Sequence, residues 1–232
     1  MKKLGFTLAE VLISLVIIGV VAAITLPALQ TNVNKTAIEK QTLKFYQQFK
    51  EAIDLYMVDE ETDSIASTGL DPDEFVKEHF AYRQICSTTS GCYADTYAAI
   101  GGSESYYTTA NTDLGSQSTD GTYTTTTGSY MLTDGTVFYI KYYTDSRDEC
   151  MEVTFDVNGT KGPNQNGYDF SKFYVFYDGS IDESGITPDV RTDSSNTESI
   201  VSSQLATCLA NSSGGGCFGH FIRSGFRFDY VN

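Results

Sequence analysis

Basic residues and histidines are both scarce in this chain, and their scarcity excludes two classes of function. The 232 residues include 15 lysines and arginines against 30 aspartates and glutamates, a formal net charge of −15. Proteins that bind nucleic acid contact phosphates through clustered lysine and arginine, so no direct nucleic-acid partner is expected. The two histidines, His79 and His220, lie far apart in sequence and no Cys-x-x-Cys pair is present, which argues against a zinc site.

No combination of residues in the sequence indicates a catalytic site. The serines lack a matching histidine and aspartate set, and the glycine-rich segments do not follow a strand and open a helix as phosphate-binding loops do. We therefore expect a protein that is not an enzyme and has no catalytic residues.

An acidic surface attracts divalent cations, so calcium is the candidate cofactor.

A long apolar run at the N-terminus is the dominant feature of the sequence. It extends from Phe6 to Leu29 and contains one charged residue, Glu10. At about 1.5 Å rise per residue, a helix of this length covers the roughly 30 Å hydrocarbon core of a bilayer. The short leader before it carries Lys2 and Lys3, which favours a cytoplasmic N-terminus. The sequence therefore predicts a single-pass membrane protein whose C-terminal domain is exported.

The segment Gly5-Phe6-Thr7-Leu8-Ala9-Glu10-Val11-Leu12, followed by the apolar run and Pro27, resembles the N-terminal signal of type IV pilins and type II secretion pseudopilins. This resemblance implies that a prepilin peptidase cuts between Gly5 and Phe6 and that the new N-terminal Phe6 is methylated. It also implies that the helix is stored in the lipid of the inner membrane, meets an inner-membrane assembly platform, and then packs with other pilin or pseudopilin subunits in a periplasmic or extracellular helical filament. Losing Lys2 and Lys3 with the leader would change the net charge from −15 to −17.

Glu10 is a carboxylate inside the predicted span, where insertion scales penalise a charge by about 2.5 to 3.5 kcal/mol near the helix centre. Cleavage after Gly5 would give Phe6 a free amine four residues before Glu10, on the same helical face. In a stagger of parallel helices, Glu10 can pair with the Phe6 amine of a neighbouring subunit, which avoids an isolated buried charge. We expect Glu10 to act in assembly. The alternative is a polar residue that an anchor helix tolerates.

Beyond the apolar run, the pattern becomes amphipathic as far as about Val58. Apolar side chains recur near helical spacing with charged residues between them, and the set comprises Ile38, Phe45, Phe49, Ala52 and Tyr56. The pattern predicts that the helix continues with one face against a domain. The expected organisation is a leader (1–5), a transmembrane or filament-core helix (6–29), an amphipathic half of the stem helix (30–58) and an exported globular domain (59–232).

The exported part is predicted to be an α+β domain in which the stem helix packs on an antiparallel β-sheet of about four strands, and the pilin resemblance implies the same architecture. Asp71 before Pro72 indicates the N-cap of a helix. The Asp134-Gly135 turn predicts a β-hairpin. The remaining patterns predict strands at about 130–133, 136–143, 150–157 and 170–177, a helix at about 197–209, a last strand at about 221–230, and a long loop or irregular hairpin at 103–130.

All five cysteines lie beyond the apolar run, where an oxidising compartment would allow disulfides to persist. The preferred pairs are local, Cys86 with Cys92 and Cys208 with Cys217, and they leave Cys150 as a buried thiol. A long-range link from Cys150 to either C-terminal cysteine is the alternative, because sequence does not fix connectivity.

A candidate calcium site lies in the loop from Asp156 to Asp169, between two predicted strands. Calcium takes six to eight oxygen ligands on a flexible backbone, and Asp156, Asn158, Asn164 and Asp169 could supply side-chain oxygens. The loop resembles the Asp-x-Asn-Gly loops of pilin-like domains, although its glycine comes earlier than in an EF-hand and no terminal glutamate follows. The alternative is a glycine-rich turn whose Asp and Asn side chains cap their own backbone.

Together these patterns predict a structural subunit, a minor pilin or pseudopilin, of a type IV pilus or a type II secretion-like filament. The large, loop-rich and acidic domain favours a minor subunit over a major one. The alternative is a membrane-tethered binding or adhesin module, calcium-dependent in one version, that uses the helix as an anchor only.

Overall fold

The computed structural model describes residues 7–66, 68–87, 91–100, 106–108, 123–144, 148–210 and 215–231. Its first element, α1, is a single helix from Leu8 to Asp59. The predicted end of the stem helix near Val58 is therefore confirmed. The helix stops where the acidic sequence Asp59-Glu60-Glu61 begins, and Glu61 adopts a left-handed backbone conformation with φ 49°.

Within the described residues, thirteen further elements follow α1. They are α2 (Pro72–His79), β1 (Tyr82–Cys86), β2 (Thr96–Ala98), β3 (Tyr106–Thr108), β4 (Tyr123–Thr125), β5 (Ser129–Leu132), β6 (Val137–Tyr143), β7 (Glu149–Asp156), β8 (Phe170–Phe176), β9 (Ile181–Asp182), α3 (Pro188–Arg191), α4 (Ser194–Ala210) and α5 (Phe218–Arg223). The predicted helix start at Asp71 is confirmed, because the Asp71 carboxylate accepts hydrogen bonds from the backbone N–H groups of Asp73 and Glu74.

The chain forms two compact units, Met1–Ala37 and Ile38–Asn232. In the first unit, α1 is apolar and its side chains from Leu8 to Thr25 are largely exposed. In the second unit, Ile38 is the first buried residue of the helix among those that the structure describes. The division of the stem at residue 29 comes from the hydropathy pattern and stays a prediction.

In the part of the second unit that the structure describes, an antiparallel sheet has seven strands. Six follow the order β1-β5-β6-β7-β8-β9, and β4 also pairs with β6. The α+β class with an N-terminal helix and an antiparallel sheet is confirmed. The predicted hairpin is β5–β6, in which Tyr130 pairs with Phe138. Gly135 supplies the positive φ of 97° that its turn requires. The sheet has more strands than the predicted four because β1, β4 and β9 are only two to five residues long, too short to show a clear alternating pattern.

The inner face of the sheet packs on α1 through aromatic side chains. Phe45 contacts the rings of Phe138 and Phe155 at centroid distances of 5.2 and 5.0 Å, and Phe49 contacts Phe173 at 5.1 Å. Phe49 is fully buried. These contacts explain the apolar stripe predicted on the amphipathic half of α1, since the same residues form the centre of the main core.

A second, smaller core covers part of the outer face of the sheet. Successive strand side chains point to opposite faces, so Val137 and Tyr139 of β6 face away from the α1 side. They pack with Tyr93, Tyr97 and Phe170, and Tyr97 stacks on Phe170 at a centroid distance of 4.0 Å. The segment that supplies Tyr93 and Tyr97 was not predicted to be part of a core.

The predicted last strand at 221–230 is wrong. The structure has α5 over Phe218–Arg223, followed by turns. Phe226, Phe228 and Tyr230 imitate the two-residue repeat of a strand, but Gly225 and Phe226 take left-handed φ values of 73° and 62°, which an extended strand does not permit. The helix predicted at 197–209 is present and is longer, Ser194–Ala210.

The predicted polar loop at 103–130 lies in part outside the described residues. Within it the structure has β3, which pairs with β2 in a separate two-stranded sheet, and β4. Residues 101–105 and 109–122 are among those that the structure does not describe.

We expect Phe49→Ala to lower the free energy of unfolding of the second unit by about 3 to 5 kcal/mol, because it leaves a cavity between α1 and the sheet. Leu55→Ala on the same helix is the matched control, since Leu55 is 50% exposed and its loss should cost less than about 0.5 kcal/mol. Chemical denaturation of the full chain in detergent, followed by tyrosine fluorescence, measures both. Equal effects of the two changes would contradict this account of the core.

Candidate functional site

The start of α1 has a reciprocal hydrogen-bonded cap between Thr7 and Glu10. The Thr7 backbone N–H and hydroxyl donate to Glu10 Oε2 at 2.8 and 2.7 Å, and the Glu10 N–H donates to Thr7 Oγ1 at 3.3 Å. This is the capping-box arrangement, in which two side chains satisfy the unpaired N–H groups at a helix start. The prediction from sequence included Thr7 only as part of the motif, although the pattern Thr-x-x-Glu before an apolar run is the signal of a capping box.

The other hydroxyl groups of the span bond back to the helix. Ser14 donates to the carbonyl of Glu10 at 2.7 Å and Thr25 donates to the carbonyl of Val21 at 2.9 Å. Lipid offers no hydrogen-bond partners, so polar groups in a span need partners within the protein. Leu8–Thr25, with a mean hydropathy of 2.6, is long and apolar enough to cross a membrane. Gly5 and Phe6 lie outside the described residues.

The loop between β7 and β8 holds the two carboxylates predicted to bind calcium. Asp156 Oδ1 accepts hydrogen bonds from the N–H groups of Asn158 and Gly159 at 2.8 and 2.7 Å, and its Oδ2 accepts from the Tyr97 hydroxyl. Asp169 accepts from the N–H groups of Asn164 and Gln165, at 2.7 Å each. Each of the four carboxylate oxygens therefore has a donor from the protein.

Both carboxylates are buried, and burial shifts their titration. Burial raises the pKa of Asp169 to about 6. Burial and the neighbouring Asp169 raise the pKa of Asp156 well above its usual range. Asn158, with its amide oriented to satisfy its neighbours, donates to Asp156 Oδ1 and to the carbonyl of Lys161.

These contacts favour a loop that caps its own backbone over a loop arranged around a cation. A bound calcium ion would compete with the hydrogen bonds that Asp156 and Asp169 already accept. Within the residues that the structure describes, no group of three or more His, Cys, Asp or Glu side chains could hold a metal ion. Calcium binding by Asp156, Asn158, Asn164 and Asp169 stays a prediction.

The structure joins Cys86 to Cys92 and Cys208 to Cys217, with Cα–Cα distances of 6.3 and 5.5 Å. These are the two local pairs that the sequence analysis preferred to a long-range link. Cys150 is buried and keeps its thiol. Burial raises the pKa of this thiol to about 12, so it carries little of the reactive thiolate.

Glu183 is a buried carboxylate that the sequence analysis did not single out. It follows β9 and accepts hydrogen bonds from the backbone N–H groups of Ser184, Phe218 and Gly219 at 3.3, 3.0 and 3.4 Å. Burial raises its pKa to about 7. The neighbouring Asp182 forms ion pairs with Arg191 and Arg223 at 3.1 and 2.9 Å. Glu183 thus holds the start of α5 at the edge of the sheet, and Asp182 holds its last residue, Arg223.

Comparison with protein families identifies the N-terminal segment. A family model described as the prokaryotic N-terminal methylation motif matches residues 1–26. Neither the curated proteins nor the solved structures include a match to this chain. The segment that matches contains Thr7 and Glu10 and most of the candidate span.

We expect the melting temperature of the full chain to be the same with added calcium as with a chelator, because the carboxylates of Asp156 and Asp169 already have protein donors. Differential scanning calorimetry at one fixed pH measures both conditions, and magnesium is the control for general ionic effects. A rise with calcium that magnesium does not reproduce, and that Asp169→Asn abolishes, would show that the loop binds calcium.

We expect the stability of the second unit to fall as the pH rises from about 4 to 7. The folded-state pKa values of Asp169 and Glu183, about 6 and about 7, lie above the ordinary values of 3.8 and 4.5. The folded chain therefore binds more protons than the unfolded chain in this window, and the free energy of unfolding decreases as those protons leave.

Glu183→Gln removes one of these titrations, so it should reduce this decline by about 2 kcal/mol. Denaturation curves at several pH values measure the slope, which is separate from any constant cost of the substitution. The matched control is Glu198→Gln, because Glu198 is exposed on α4. A decline that is unaltered in Glu183→Gln would contradict the assignment.

Proposed function

We propose that this chain, a type IV pilin-like or pseudopilin precursor by the signal motif in its first 26 residues, is a structural subunit of a helical filament. In this proposal a prepilin peptidase cuts between Gly5 and Phe6, Phe6 is methylated, and the subunit assembles through its N-terminal helix. The observation that carries the proposal is the position of the motif. It matches residues 1–26 and therefore includes the start of the continuous helix Leu8–Asp59.

Length and polarity of the span support storage in a membrane before assembly. Leu8–Thr25 has 18 residues, which at about 1.5 Å per residue is close to the roughly 30 Å of a hydrocarbon core. The proposed topology places the short basic leader in the cytoplasm and the domain on the exported side of the inner membrane. The proposed partners are lipid, the peptidase, an inner-membrane assembly platform and other pilin or pseudopilin subunits.

Glu10 has different proposed partners before and after assembly. In the single chain, its carboxylate accepts two hydrogen bonds from Thr7. In the filament, we propose that it pairs with the Phe6 amine of a neighbouring subunit, which brings a full positive charge to a buried carboxylate. Breaking such a buried pair costs several kcal/mol because one charge is left without a partner.

The proposed role is that of a minor pilin or pseudopilin. In this role the N-terminal helix assembles with the helices of other subunits, and the globular domain is attached to it. Its support is the large acidic domain, with a net charge of −15 over the whole chain. The competing function is a membrane-tethered binding or adhesin module. The two differ in where the processed protein is found.

We expect Glu10→Val to leave membrane insertion and cleavage after Gly5 intact and to lower the amount of processed protein in sheared filaments at least about tenfold, through loss of the buried charge pair. Ser14→Ala is the matched control, one helical turn further along the same span. Immunoblots of sheared and membrane fractions, with mass spectrometry of the N-terminus, measure both steps.

Normal incorporation of Glu10→Val into filaments would contradict the assembly role of Glu10. Retention of all processed wild-type protein in the membrane would favour the tethered module or a pseudopilin. A chain that is never cut after Gly5 would contradict the proposed function itself.

A further inference from the structure

The C-terminal clasp, residues 215–231, contacts three separate parts of the second unit. It consists of residues 215–217, α5 and the turns that follow α5. Its aromatic residues Phe218, Phe221 and Phe228 are buried in the main core. The clasp therefore cannot leave the domain without exposing apolar surface to water.

The first of these contacts is with α1. The Phe228 N–H donates to Glu39 Oε1 at 2.9 Å, and the Tyr46 ring lies 5.3 Å from that of Phe226 and 6.1 Å from that of Phe218. Since Ile38 is the first buried residue of the helix among those described, the clasp holds the first docked turns of α1.

The second and third contacts are with the sheet edge and the loop of Asp156–Asp169. Arg223 donates from Nη1 and Nη2 to the two carboxylate oxygens of Asp182, at 2.9 Å each. The Tyr230 hydroxyl donates to the carbonyl of Gly167 at 2.7 Å, and Phe228 packs on Tyr168 at 5.3 Å. The clasp thus connects α1, β9 and this loop.

The Cys208–Cys217 disulfide anchors the beginning of the clasp to α4 and is enclosed. Its cysteines are 0% and 1% exposed. A Cβ on Gly167 would lie 2.3 Å from Cys217 Sγ and 2.8 Å from Cys208 Sγ, so the loop fits over the disulfide only because this residue is glycine. A soluble reductant can therefore reach the sulfur atoms only after the clasp and the loop separate.

We propose that oxidation of Cys208 and Cys217 is a one-way maturation step that closes the clasp on α1. In the exported compartment, one cysteine thiolate attacks the disulfide of a thiol oxidant and forms a mixed disulfide. The second cysteine thiolate then attacks the mixed disulfide at the sulfur of the first cysteine and releases the oxidant, which is reduced by two electrons. The two protons that the cysteine thiols lose are taken up by the two thiolates of the oxidant, which leaves as a dithiol. Closure then encloses the new bond and fixes the start of the docked part of the stem.

The closed clasp protects its own disulfide, and this can be tested on variants that keep every cysteine. Glu39→Ala removes the acceptor for the Phe228 N–H, and Glu51→Ala is the matched control at an exposed position on the same helix. The purified full chains are held in detergent with dithiothreitol and without denaturant, then alkylated and mapped by mass spectrometry. We expect Glu39→Ala to speed reduction of Cys208–Cys217 at least about fivefold by easing local opening, and to leave the rate for Cys86–Cys92 unchanged. Equal rates in Glu39→Ala and Glu51→Ala would overturn the proposal.

The converse experiment removes the disulfide. In Cys208→Ser/Cys217→Ser we expect trypsin to cleave after Arg223 and Arg227 at least about tenfold faster than in the wild type. In the same variant, the amide hydrogen exchange rates of residues 38–46 of α1 should also rise. Cleavage after Lys172 in β8 should stay the same, and Cys86→Ser/Cys92→Ser, as the matched control, should change none of these.

Equal acceleration at Lys172 and Arg223 would overturn the proposal, because the disulfide would then stabilise the whole domain and not the clasp. The value of fixing the start of the docked part of the stem for assembly rests on the proposed filament function. These readouts use the isolated chain, so a failure of the clasp and a failure of filament assembly are distinguishable.

Discussion

A backbone that enters lipid has to satisfy its own hydrogen bonds, and the organisation of this chain depends on that constraint. A helix meets it along its length but leaves N–H groups unpaired at its start. The Thr7–Glu10 cap supplies acceptors at this end, and Ser14 and Thr25 return their hydroxyls to the helix. Glu10, whose charge is costly in an apolar run, is therefore also part of the N-terminal cap of the helix.

The same helix must also bind a folded domain, and it does so with a different set of side chains. In the second unit Phe45 and Phe49 fill the centre of the main core, and large aromatic rings provide much of the apolar area that such a contact can bury. The clasp adds a polar contact to Glu39 and an aromatic contact to Tyr46 at the first docked turns of α1. Core packing thus determines which face of α1 contacts the sheet, while the clasp determines the residue of α1 at which this contact begins.

Patterns among residues close in sequence predicted much of this architecture. Contacts between residues distant in sequence explain the features that were not predicted. The motif, the extent of α1, the Asp71 cap and the Asp134-Gly135 hairpin each depend on residues close in sequence. The prediction for the C-terminal segment failed because Phe226, Phe228 and Tyr230 repeat like a strand. Their partners Tyr46, Tyr168 and the carbonyl of Gly167, in that order, adjoin them only in the folded chain. Glu183 was missed for the same reason, since two of its N–H donors are 35 and 36 residues away.

The loop from Asp156 to Asp169 shows why oxygen-rich sequence is a weak guide to metal binding. A carboxylate in a turn can be satisfied by a cation or by backbone N–H groups, and the same glycines that permit the first arrangement permit the second. In this chain Gly159 donates to Asp156, and Gly167 leaves space for the Cys208–Cys217 disulfide. The loop is thereby held through contacts with both the second core and the clasp. The buried acids of this loop hold their protons to higher pH in the folded chain than in the unfolded chain, so the stability of the second unit depends on pH.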